Sequence, residues 1–553
     1  MKFRKTSLLI LCLMFGFSLF LAGCTSKETS QENTENSNNE SKGESKDDGK
    51  PQQGGDLILA EMSTPTLLNS LYSTDTSSSD VQALIFNALL KTNEKYEEEY
   101  DLAEDLQESE DGLTYTVKIK KGVKFHDGVE LTADDVVFTH SIPLSPDYVG
   151  ERGSNFEMIE KITKLDDYTV EYKLKRKDAT FKSTTLSSYE ILPKHILENV
   201  PIKDLGTHEF NTKNPIGTGP FKFVEWKEGE YVKVEAFDEY FEGRPYLDTV
   251  TYKIVGDPNS AIAQLQAGDV NFFAKVPPQD FKTVKEFPGL KMVDGQALAY
   301  TYLGYNQKKD MFKDKKVRQA LTMAIDRQTI VDQVMDGDGA VAHVPESPLS
   351  WAYNEDVPKF DYDPEKAKQL LKEAGWEDTD KDGILDKNGK KFEFTIKTNQ
   401  GNKTREAIVV VVQQQLKEIG IEAKPQIVEF SALVDQINPP NWDFDAVVMG
   451  WSLSTFPDQY DIFHSSQSEA GLNNIWYKND KADKLMVEAR QILDREEYKK
   501  AYGEIYKEIA EDQPYTFMYY PNEHRAMPEN LEGFIFHGKQ PYYGINKWWL
   551  KQN

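Results

Sequence analysis

Two hydrophobic periods take turns along this chain, and few architectures accommodate both. In Leu113-Thr-Tyr115-Thr-Val117-Lys-Ile119-Lys every second residue is apolar, as is also true of Tyr168-Thr-Val170-Glu-Tyr172-Lys-Leu174. That spacing predicts strands with one buried face. Elsewhere the period is 3.6. Asp363 is a cap, Pro364 suits a first turn, Ala367, Leu370, Leu371 and Ala374 share a face, and Gly375 ends the run. Val317, Ala320, Leu321 and Ala324 predict a second helix, and residues 404–419 a third, closed by Gly420 and followed by a strand from Ile421 to Val428. Helices and strands that alternate over so long a chain imply an α/β architecture in more than one lobe.

The first 55 residues do not follow this pattern. Lys2, Arg4 and Lys5 precede an apolar run from Leu8 to Phe20 that is too short to span a bilayer as a helix. The run closes on Leu21-Ala22-Gly23-Cys24, which resembles the lipobox of bacterial lipoproteins. That resemblance implies a signal peptide over residues 1–23 and a lipidated Cys24 as the mature N-terminus. From Thr25 to Gly55 the residues are polar, charged or glycine with one proline, so this segment has nothing to bury against the entropy of ordering. Residues 24–54 are expected to be a disordered acidic tether reaching roughly 30 Å. The only cysteines are Cys12 and Cys24. A body without thiols has no disulfide, no cysteine nucleophile and no thiolate metal site.

The net charge of −27 opposes binding to nucleic acid or anionic lipid. Eight Trp, 27 Tyr and 29 Phe are more than a core of this size requires, so some are expected to line a pocket.

The densest stretch is "DGLTYTVKIKKGVKFHDGVELTADDVVFTHSI", residues 111–142. A strand, a tight turn at Asp127-Gly128 and a helix capped by Thr132 with Asp134 and Asp135 in its first turn account for all of it. His126 and the two aspartates need no metal or acid–base role. With "NPIGTGPFKFVEW" (214–226), "NQKKDMFKDKKVRQALTMAIDRQTIV" (306–331) and "LKEAGWEDTDKDGILDKNGKKFEFTIKT" (371–398), the stretch resembles the family 5 solute-binding proteins, the peptide, dipeptide and nickel receptors of ABC importers.

That resemblance implies an α/β, two-lobed, type II periplasmic-binding-protein-like fold with a hinge. Lobe I would comprise 55–86, 214–297 and 516–553, with an inserted domain at 87–213, and lobe II would comprise 298–515. It further implies a monomeric, non-enzymatic receptor, held by its lipid on the extracytoplasmic face of a Gram-positive cell membrane. An oligopeptide would be enclosed between the lobes and passed to the permease subunits of an ABC transporter.

Candidate ligand contacts follow from the same motifs. In "VVMGWSLSTFPDQYDIF" an apolar strand runs into Trp451 and a polar loop bearing Ser452, Ser454 and Asp458. The family carries an aspartate three residues after this Trp, holding the ligand's α-ammonium; Ser454 stands there instead. Either Asp458 reaches the ammonium by another loop path, or the site does not fix a free N-terminus. "LYSTDTSSSD" contributes Asp75, and "YTYLGYN" contributes Tyr302 and Asn306.

No cofactor is implied, with one candidate ion. Asp378, Asp380, Asp382 and Asp386 with Gly383 match a calcium loop, but Gly389 replaces its final bidentate Glu, and such Asp-Gly and Asn-Gly sequences also form ordinary turns. Two other readings remain. One is the same fold carrying a dipeptide, nickel chelate, haem or signalling peptide. The other is an anchored hydrolase, against which stand the absence of a G-x-S-x-G elbow and of a second histidine beside His208-Glu209.

Overall fold

The computed structural model describes residues 50–552 apart from residue 470. The signal peptide, Cys24 and nearly all of the expected tether lie outside them. The described residues from Pro51 onward form one compact unit.

The expected alternations are strands Thr114–Ile119 and Thr169–Leu174, with Tyr115, Val117, Val170 and Tyr172 turned inward. They pair with each other at the centre of a four-stranded antiparallel sheet. The helix after them runs Ala133–Ser141, where Asp135 accepts the backbone N–H of Thr132 at 2.9 Å. His126 is structural: Gly217 N–H donates to its Nδ1 at 3.2 Å, and its Nε2 lies 3.0 Å from the Gly219 carbonyl. Burial lowers its pKa to about 4, so the ring is neutral. Gly217 is required where the chain passes Ile85, because a Cβ there would stand 2.1 Å from that residue's carbonyl oxygen.

The predicted helices are Lys315–Met323, Pro364–Glu373 and Lys403–Glu418, the last capped by Asn402 and followed by strand Glu422–Val428. They cover one face of a twelve-stranded mixed sheet, and the tyrosine-rich helix Arg495–Asp512 packs on the other.

This sheet runs through both lobes. Its path goes from Glu422–Val428 through Glu393–Asn399, Ala446–Ser452 and Ala299–Tyr305 to the long strand Tyr515–Pro528. It continues through Phe272–Phe273, Asp56–Glu61, Thr249–Ile254 and Tyr231–Ala236 to Phe221–Lys227. The long strand pairs with Ala299–Tyr305 as far as Tyr519, and from Asn522 onward with Leu290–Gln296. The chain therefore crosses between the lobes at 297–298 and again near 521, and Ala297 N–H donates to the Pro521 carbonyl at 3.0 Å where the crossings meet. The two crossings form the hinge of this two-lobed α/β fold. A boundary at residue 516 falls inside the long strand, whose first residues pair with Ala299–Tyr305.

Candidate functional site

A cavity of about 830 Å³ lies between the lobes, in the range of pockets that enclose small ligands. One wall comes from the start of helix Thr76–Ile85, the segments around Arg152 and Lys275, and residues 538–547. The other comes from Ala299–Tyr302, Asn399–Arg405 and Met449–Asp461.

Strand Ala446–Ser452 delivers Trp451 to this cavity. The indole is half-buried, its Nε1 donates to Tyr515 Oη at 3.3 Å, and its ring lies parallel to that of Tyr302 with centroids 6.2 Å apart. Tyr302 in turn stacks on Tyr515 at 4.0 Å. The stack fixes both candidate aromatics at the wall. Next to it, Asn399 Oδ1 accepts from Arg405 Nη1 at 3.0 Å. Gly450 makes room for this guanidinium, since a Cβ there would stand 2.5 Å from Arg405 Nη2. Burial lowers the pKa of Arg405, and no carboxylate lies within 4 Å of it among the described residues.

The two acids expected at the ligand, Asp458 for its ammonium and Asp75 as a contact, are committed elsewhere. Asp458 accepts from Arg490 Nε at 3.0 Å and from Tyr502 Oη at 2.5 Å, and Arg490 is 1 % exposed. A buried guanidinium and a buried carboxylate in this geometry neutralise each other. Ser454 Oγ accepts the N–H of Phe456 at 3.3 Å, a local turn, and Ser452 is exposed at the strand end. Asp75 borders the cavity but caps helix Thr76–Ile85, accepting from Ser78 N–H at 2.8 Å, Ser78 Oγ at 2.8 Å and Thr66 Oγ1 at 2.5 Å. Asn306 does not reach the cavity. It lies at the far end of its strand, where Nδ2 donates to the Phe444 carbonyl at 2.8 Å.

Three further acids border the cavity, two of them with partners: Glu61 accepts from Tyr542 Oη and Glu523 pairs with Arg525 at 2.7 Å. Glu61, Asp80 and Glu523 surround Lys275. Burial pushes Glu61 up to about 8 and Asp80 up to about 6. Lys275 faces the water of the cleft while enclosed by protein atoms. That enclosure disfavours its charge, yet the three acids together hold its pKa above the ordinary lysine value. Glu61 had a signal in the sequence: it occupies the inward parity of strand Asp56–Glu61 after Leu57 and Leu59, where an apolar residue is expected.

The aspartate loop lies apart from the cavity. The carboxylates of Asp378, Asp380 and Asp382 converge to within 4.8 Å and are exposed. The Lys391 ammonium lies 3.0 Å from Asp380 and also contacts Asp382. Asp386 turns away, accepting from Thr379 N–H at 2.9 Å and Oγ1 at 2.7 Å. Three of the four expected ligands are thus together, and a lysine stands where a cation would.

Residues 97–474 match the bacterial extracellular solute-binding proteins, family 5 (middle region). The chain is 62 % identical over 552 residues, all of both chains, to the oligopeptide-binding protein AppA of Bacillus subtilis (strain 168). The structure of AppA in complex with a nonapeptide superimposes with a TM-score of 0.90 at 65 % identity, covering 91 % of this chain and 100 % of that one. NikZ from Campylobacter jejuni in complex with Ni(L-His) has a TM-score of 0.81 at 30 % identity, covering 89 % and 99 %.

Proposed function

Because the chain belongs to family 5 of the bacterial extracellular solute-binding proteins, we propose that it encloses oligopeptides between its lobes and delivers them to the permease of an ABC importer. The observation that carries this reading is full-length similarity to an oligopeptide-binding protein together with a wide interlobe cavity. Peptide bonds all carry the same donor and acceptor. A receptor that pairs with ligand backbone gains affinity that ignores sequence, and hydrated pockets accept whatever side chains arrive. With Asp458 held by Arg490 and Ser454 in place of an acid, the site does not fix a free N-terminus through this loop.

Nickel-chelate transport is the second reading, favoured by the likeness to NikZ. The one group of three or more potential metal ligands among the described residues is the exposed aspartate trio outside the cavity, so nickel in the cavity would have to bring donors of its own. A calcium ion there would have to displace Lys391. The body is proposed to act as a monomer, anchored through lipid on Cys24.

Native mass spectrometry of protein purified from its host tests the cargo: peptides of several residues are expected to copurify, and a nickel complex in their place would reverse the assignment. Replacing Cys24 by Ala is expected to move the protein from the membrane fraction to the medium.

A further inference from the structure

At the hinge, lobe II reaches past the crossing through the loop that follows helix Arg327–Val334. The loop runs from Met335 to Asp338 and continues as strand Gly339–Val341, which pairs with Tyr519, Tyr520 and Pro521 of the long strand. Its turn is tight: Gly337 N–H donates to the Val331 carbonyl at 3.0 Å, and Asp338 N–H to the Met335 carbonyl at 2.9 Å. Asp336 has a φ of +53°, a backbone that non-glycine residues rarely adopt. A Cβ on Gly339 would stand 3.0 Å from the Tyr520 carbonyl oxygen, so the loop leaves the strand pair at close quarters.

This conformation delivers Asp338 to the other lobe. Asn522 Nδ2 donates to its Oδ1 at 2.8 Å, and His524 Nε2 to its Oδ2 at 2.5 Å. Both donors lie beyond the crossing, on the stretch that pairs with Leu290–Gln296. The His524 ring is buried against Phe281, with centroids 4.7 Å apart. Burial opposes ionisation of Asp338, yet the hydrogen bonds from His524 and Asn522 hold its carboxyl below the ordinary value. The contact is therefore charge-assisted. Lys282 and Asp336, 3.2 Å apart, span the lobes as well, but both are exposed and add little.

His524 stands three residues past Pro521, about 10 Å along a strand. A rotation of about 15° at the crossing would displace it by about 2–3 Å, more than a hydrogen bond tolerates. Met335, Asn522 and His524 border the cavity, which puts the contact on the cleft side of the pivot.

We propose that Asp338, with His524 and Asn522, is a strut that holds the lobes together around the cargo and breaks when the hinge opens, so that it sets how fast cargo leaves. The inference does not depend on which cargo is enclosed.

Stopped-flow tryptophan fluorescence of the full chain, with a nonapeptide pool and separately with a nickel–histidine complex, measures association and release. For whichever cargo wild type binds, Asp338→Asn and His524→Phe are each expected to speed release by about 10-fold and to leave association within about 2-fold. His524→Gln, whose amide can still donate, is expected to restore most of the wild-type rate. The double variant Asp338→Asn, His524→Phe is expected to release no faster than the faster single one, because both remove the same contact. A strut that is broken in the open form leaves the urea midpoint of the cargo-free protein unchanged. Release at the wild-type rate in Asp338→Asn or His524→Phe overturns the strut. A lowered cargo-free midpoint also overturns it, since the contact would then belong to the open form too, and multiplied effects in the double variant overturn the pairing. Binding of the nickel complex alone overturns the peptide reading while the same comparison still judges the strut, and binding of neither overturns both.

Discussion

Single residues in this protein show where charge is tolerated and at what cost. Glu346 is fully buried, with Oε1 accepting Ser347 N–H at 2.9 Å and Oε2 the Tyr506 hydroxyl at 3.1 Å, and burial pushes its pKa up to about 8. A carboxyl whose folded pKa lies above its unfolded value contributes stability fully below about pH 4.5 and loses it as pH rises through about 8. Glu346→Gln keeps a neutral polar group in that place. The gap in urea stability between wild type and variant is therefore expected to move in the variant's favour by about 1 kcal/mol or more between pH 5 and pH 8.5; a constant gap would show that Glu346 does not carry this dependence. At this scale the sequence was only partly informative. Trp451 was legible as a wall residue because an aromatic at the end of an apolar strand has a definite orientation, whereas Tyr302, in mid-strand, was put at the cleft by the family resemblance. Asp75 and Asp458 were visible as acids near the cleft; the cap that Asp75 places on Ser78 is local and went unread, whereas the pairing of Asp458 with Arg490 depends on packing that no motif encodes.

Elements were read with more success, because period and capping are local. Strands Thr114–Ile119 and Thr169–Leu174 and helices Lys315–Met323, Pro364–Glu373 and Lys403–Glu418 stand where alternation, the 3.6 period, the Asp363 cap and the terminal Gly375 and Gly420 put them; the caps Asp314 and Asn402 were not part of that reading. The aspartate loop shows the limit of the same reasoning. Spacing brought three carboxylates together, but Lys391, on the strand that follows, was not part of the pattern. Helix Thr76–Ile85 carries a prediction of its own. Its cap, Asp75, receives three hydrogen bonds, and the helix has no acidic residue in its first turn to take over. Asp75→Ala is expected to lower global stability by about 1–2 kcal/mol and to weaken ligand binding only modestly, as equilibrium unfolding and titration of the same preparation would show. A loss of binding without a loss of stability would instead make Asp75 a direct ligand contact.

At the scale of the whole molecule, the lobes are held together by polar contacts across the cleft. Asp461 accepts from Ser154 Oγ at 2.8 Å and Asn155 Nδ2 at 2.7 Å, and Ala179 N–H donates to the Arg490 carbonyl at 2.6 Å. An opening at the hinge would break these contacts. Asp461→Ala is expected to speed ligand release by about 10-fold with little change in association rate, measured by stopped-flow; a slower association with unchanged release would place Asp461 on the entry route instead. The sharing of strand Tyr515–Pro528 between both lobes has a consequence for how the protein is made. Neither lobe can complete its sheet until that late segment has been synthesised, so the earlier lobe-forming segments must wait without their central partner. A polypeptide that postpones its final folding in this way stays threadable, which suits passage through a translocation pore ahead of assembly on the far side.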